Sequence, residues 1–142
     1  MEISIVRKRL IDSIDKAKRA AVERRERADE ASRDYEQFLS AVAIPLFKQI
    51  GNALRAEGFG FSVSTPGDSV RLTLERPATD GIELTLDTRA DVPQVIGHVS
   101  RTRGRRVIET EQPVRADVAV RDLTEDDVLS FVLRELQPFV ER

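Results

Sequence analysis

The sequence predicts an α+β protein: a long, coiled-coil-like N-terminal helix with a kink near Pro45, an antiparallel meander of four to six strands, and a C-terminal helix packed on the same sheet face. Three observations predict it. Apolar residues recur every seven positions through the first forty residues, the hydrophobic period drops to two at Phe59, and a well-capped apolar stripe begins at Thr124.

Two interleaved series carry the first helix: Ile3, Leu10, Ala17, Arg24, Ala31 and Phe38, and Arg7, Ile14, Ala21, Ala28, Tyr35 and Val42. No glycine or proline interrupts them before Pro45. A helix of that length runs on the order of 60 Å, at 1.5 Å per residue. Its seam is large and apolar at both ends and mostly alanine in the middle, so the middle buries little area by itself. Charges of both signs crowd the rest of the surface, and pairs such as Arg19 and Glu23 add only a few tenths of a kcal/mol. Such a helix is marginal alone and calls for a partner.

Residues 41–57 read as a second helical stretch, with Leu46, Phe47, Ile50, Ala53 and Leu54 on one side and Gly58 as its stop. Pro45 is expected to kink the helix or to open a new one. From Phe59 onward, Phe59-Phe61-Val63, Val70-Leu72-Leu74 and Ile82-Leu84-Leu86 alternate with polar residues, the pattern of antiparallel strands with one wet face. Thr65-Pro66-Gly67-Asp68 is a turn, since proline presets φ and glycine accepts a positive one. Strands near 94–101 and 105–111 flank a turn at Arg103-Gly104, with Pro93 and Pro113 as brackets, and Val118 with Val120 suggest a short sixth strand. Thr124 caps the last helix, Asp127 completes a capping box, and Leu123 with Val128 form a hydrophobic staple. Pro138 is expected to end or bend that helix. The organisation is an arm over residues 1–42 and an α+β domain over residues 43–142.

Composition narrows the function. Of 142 residues, 34% are charged and 40% hydrophobic, the balance of a chain that carries a solvated helix beside its core. The formal net charge of −2 supplies no uniform pull toward nucleic acid or anionic membrane. There is no cysteine, so disulfides, thiolate nucleophiles and cysteine-held metals are excluded. Charges in the first nine residues occupy the place of a signal peptide's apolar segment, and no stretch reaches the roughly 20 apolar residues of a membrane span, so cytoplasm is the expected location. Arginine greatly outnumbers lysine, which points to a GC-rich, bacterial coding bias or to a use of arginine's bidentate donors.

Catalytic and metal signatures are weak. The carboxylates Asp87 and Asp91 lack the spacing of a calcium loop, His98 has no nucleophile or acid marked near it in sequence, and the GxG at Gly58-Phe59-Gly60 opens a strand instead of a helix. Neither an enzyme nor a cofactor is expected. The expected function is a protein–protein interaction or adaptor module. It self-associates, as a homodimer, or takes a helical partner through Ile3, Leu10, Ile14, Ala17, Ala21, Ala28, Ala31, Tyr35 and Phe38. A second reading is a nucleic-acid-associated accessory protein that uses Arg101, Arg103, Arg105 and Arg106 at the hairpin tip. A third is an inhibitor or immunity-type protein using an acidic sheet face formed by Glu75, Glu83, Asp87, Glu109 and Glu111.

Overall fold

The architecture, taken from a computed structural model that describes residues 1–141, is α+β with all three long helices joined to a single five-stranded antiparallel sheet. Helix α1 (Ile3–Phe38) runs through a π-helical turn (Leu39–Ala43) into α2 (Ile44–Ala56) without a break. The expected kink at Pro45 is this turn. Proline has no N–H and its ring crowds the carbonyl four residues earlier, so one residue more is looped into the preceding turn, where the Ile44 N–H donates to the Leu39 carbonyl. The extra residue rotates the apolar stripe from the seam of α1 onto Leu46, Phe47 and Ile50 of α2, which are buried.

Strands β1 (Phe61–Ser64), β2 (Val70–Leu74), β3 (Gly81–Asp87), β4 (Gln94–Arg103) and β5 (Arg106–Pro113) pair in sequence order as a meander. Leu72, Ile82 and Val99 lie opposite one another across β2, β3 and β4, and all three are buried. Helix α2 and helix α3 (Glu125–Val140) cover that face together, Gly51 of α2 lying over Leu72 and Phe131 of α3 lying over Gly97. A Cβ at Gly97 would stand 2.1 Å from the Phe131 ring, so the missing side chain is what lets α3 seat.

Two local expectations need correction. Val118 and Val120 do not form a sixth strand. After Pro113 the chain leaves the sheet, passes Asp117 at a positive φ of 60° and makes a 3-10 turn (Val120–Asp122) that satisfies its own backbone through Asp122 N–H to the Ala119 carbonyl, 2.9 Å. Pro138 does not end α3, since the helix runs on to Val140. Proline removes one bond there, while buried Leu136 and Phe139 hold the last turn, Phe139 meeting Phe61 edge to face at 6.4 Å. The capping box at the other end of α3 forms as expected, the Asp127 N–H donating to Thr124 Oγ1 at 3.1 Å and the Thr124 N–H to Asp127 Oδ2 at 3.0 Å. Among the described residues, no helix is long and apolar enough to cross a membrane.

Candidate functional site

The heptad seam divides into two halves with different fates. Ala31, Tyr35 and Phe38 are buried in the domain's own core. Tyr35 is fixed further, its hydroxyl lying 2.9 Å from the Asp68 carbonyl oxygen and 3.2 Å from that of Leu84. Burial, with Asp68 and Glu83 close by, pushes its phenol well above the ordinary value, so it stays neutral and serves as a donor. Arg27 Nε donates to the Asp91 carbonyl at 3.2 Å and Glu30 meets Arg121 at 3.0 Å, which marks where the helix first touches the domain.

On the near side of Arg27 the helix stands clear. Among the described residues no side-chain hydrogen bond or ion pair ties residues 3–26 to the domain, and at 1.5 Å per residue they extend about 36 Å. Ile3 is 86% exposed, Leu10 58% and Ile14 43%, with Ala17 exposed and Ala21 and Ala28 half-buried on the same stripe. Ile5, Val6, Ile11 and Val22 add exposed apolar surface that the seven-residue count passes over. At 100° per residue, Val6 falls beside Ile3 and Leu10, so it widens the seam; its signal was the four-residue step back from Leu10.

The second cluster sits at the β4–β5 tip. Arg103 and Arg106 are direct cross-strand partners, and Gly104 takes a positive φ of 65° at the first central position of the two-residue loop Gly104-Arg105. Arg103, Arg105 and Arg106 are exposed and Arg101 is half-buried. None of the four takes part in an ion pair among the described residues.

On the face of the sheet opposite the helices, His98 has two partners that sequence spacing does not reveal. Its Nε2 lies 2.6 Å from Thr85 Oγ1 and its Nδ1 lies 3.1 Å from Glu111 Oε1. The order hydroxyl, imidazole, carboxylate is that of an activated nucleophile. It lies on the wet face of the sheet, where its three side chains come from three neighbouring strands. As a cross-strand clasp it ties β3, β4 and β5 together. Part of the acidic face is partnered in the same way. Glu83 accepts from Ser69 Oγ at 2.8 Å and meets Arg71 at 3.1 Å, and Asp87 is held below the ordinary carboxylate range by hydrogen bonds from Arg89. Among the described residues no group of three His, Asp or Glu side chains is placed to hold a metal ion.

Sequence reading also missed Asp80, which is fully buried. Its carboxylate accepts from the Thr102 N–H at 2.8 Å and from Thr102 Oγ1 at 2.7 Å, just before β3 begins beside β4. Comparison with protein-family models, with curated proteins and with solved structures returned no match.

Proposed function

We propose that this protein is a non-enzymatic interaction module that self-associates through the free half of α1. One observation carries the reading: the stripe that buries Tyr35 and Phe38 in the domain continues through half-buried Ala21 to exposed Ala17, Ile14, Leu10 and Ile3. A protein has little reason to hold a row of large aliphatic residues in water along a helix that touches nothing, unless another surface covers them.

A second copy in antiparallel orientation is the occupant that fits. In a parallel pair, Arg7 would face Arg7 and Arg24 would face Arg24 inside the seam, like charges in a desolvated strip. Turning one helix round sets Leu10 against Ile14 of the other copy and Ile3 against Ala21, and leaves Arg24 outside the overlap. Alanines at Ala17 and Ala21 then allow the two backbones to approach closely. The contact is isologous and closes on itself as a dimer.

Light scattering on the purified chain tests this. The expected mass is twice the 16.0 kDa of one chain. A mass of one chain at concentrations on the order of 100 μM, where an interaction worth about 6 kcal/mol already pairs most of the protein, overturns it. So does a defined trimer or tetramer, which the antiparallel pair does not allow.

A further inference from the structure

The β4–β5 hairpin does more than finish the sheet. Pairing between β3 and β4 ends at Gly81 with Ser100, so Arg101, Thr102 and Arg103 continue with β5 alone, opposite Ile108, Val107 and Arg106. The result is a two-stranded ribbon that runs about 10 Å beyond the last β3–β4 pair before its turn, at roughly 3.3 Å per residue, with Asp80 beside it as far as Thr102. Strand alternation puts Arg101, Arg103 and Arg106 on one side of it. Arg103 and Arg106 sit directly across from each other, a like-charge pair that weakens a hairpin. No acid offsets it by an ion pair among the described residues. The base of the ribbon is held firmly all the same, because buried Asp80 takes both the backbone N–H and the hydroxyl of Thr102 where a third strand would otherwise stand.

We propose that this ribbon is a binding element for duplex DNA, inserted into the major groove with Arg101, Arg103 and Arg106 on the phosphates and Arg105 at the tip. The dimensions agree: a B-form major groove is about 12 Å wide and 8.5 Å deep and admits a two-stranded ribbon. Guanidinium forks match phosphate oxygens, and an anion between Arg103 and Arg106 turns their repulsion into attraction. The ribbon carries no aromatic residue on which an unpaired base could stack, which favours a duplex over a single strand. The deep, narrow major groove of A-form RNA excludes side chains, which favours DNA over double-stranded RNA. This inference is independent of self-association through α1.

The test is fluorescence polarisation of the full chain with a labelled 20-base-pair DNA duplex of mixed sequence. With three phosphate contacts per ribbon, raising the salt from 50 to 200 mM weakens binding about 40-fold. Arg103→Ala lowers the slope of log affinity against log salt by about one unit, and Arg103→Lys restores most of it. Arg103→Glu, which gives Arg106 a cross-strand acid, abolishes binding yet raises the melting temperature of the free protein, so loss of binding is separated from loss of fold. No binding of the duplex at 50 mM salt overturns the proposal. Equal affinity for a double-stranded RNA of the same length, preference for polyglutamate, or binding that survives Arg103→Ala with Arg106→Ala does so too.

Discussion

Leu10→Asp combined with Ile14→Asp is the perturbation that most directly separates a dimer built on α1 from any other arrangement. In the antiparallel pair Leu10 of each copy meets Ile14 of the other, so the double variant changes four positions at the centre of one interface. Leu10 and Ile14 are about half exposed in the single chain, so pairing removes roughly half of each side chain from water, or about 1–1.5 kcal/mol apiece. Four such losses total about 4–6 kcal/mol per dimer. At 1.4 kcal/mol per tenfold, the dissociation constant rises by about a thousandfold to ten-thousandfold before counting the four carboxylates set against one another. The folded domain is untouched by the same arithmetic, since neither residue contributes to the core. Light scattering at matched concentrations reads the mass, and circular dichroism with urea unfolding reads the domain. The expected result is a mass of one chain with the unfolding transition of the sheet retained. A double variant that keeps the mass of the unaltered protein refutes the reasoning, because no dimer through this stripe tolerates four buried carboxylates.

Other predictions concern the frame that holds the arm and the ribbon. Gly97→Ala should cost about 3 kcal/mol in urea unfolding, because the added methyl stands 2.1 Å from a ring that is itself buried, and trimming that ring with Phe131→Leu should recover part of the loss. Strictly additive effects would show that the two do not touch. Tyr35→Phe should cost about 1–2 kcal/mol at neutral pH by leaving the Asp68 and Leu84 carbonyls without their hydroxyl donor. Because the phenol's folded value is raised, its contribution is complete below the ordinary value of about 10 and is lost as pH climbs above it. The chain has one tyrosine, so tyrosinate absorbance reports this group directly, and ionisation at the ordinary pH without unfolding would contradict the burial. Asp127→Ala should cost about 1 kcal/mol through the lost capping box. The hydrogen bond from the Thr124 backbone, first among its causes, holds the Asp127 carboxyl below its ordinary range, so the stabilisation is present above that range and fades as pH falls through it; urea unfolding between pH 7 and pH 2 should show the unaltered protein losing more than the alanine variant.

Periodicity alone determined much of this molecule. Seven-residue spacing marks a helix because only a helix returns the same face at that interval. Alternation at Val70-Leu72-Leu74 and Ile82-Leu84-Leu86 marks strands because one face must be dry, and Thr124 with Asp127 marks a helix start because orphan N–H groups need acceptors. The four arginines at the hairpin tip were legible for the same local reason, since a turn glycine fixes which residues crown it. Tertiary structure decided what periodicity leaves open. A stripe reads the same whether it packs on its own sheet or on another chain, so the boundary near Arg27, with Tyr35 and Phe38 buried inside and Leu10 and Ile14 bare outside, appears only when the domain is assembled. Pro138 was outvoted by Leu136 and Phe139, because core burial outweighs one missing backbone bond. Gly97 beneath Phe131, Asp80 beneath Thr102 and His98 between Thr85 and Glu111 all join residues distant in sequence, and register across a sheet, not spacing along it, brings them together. The ribbon has the same origin: it exists because β3 stops pairing at Gly81 while β4 and β5 run on, a difference in strand length that no single strand encodes.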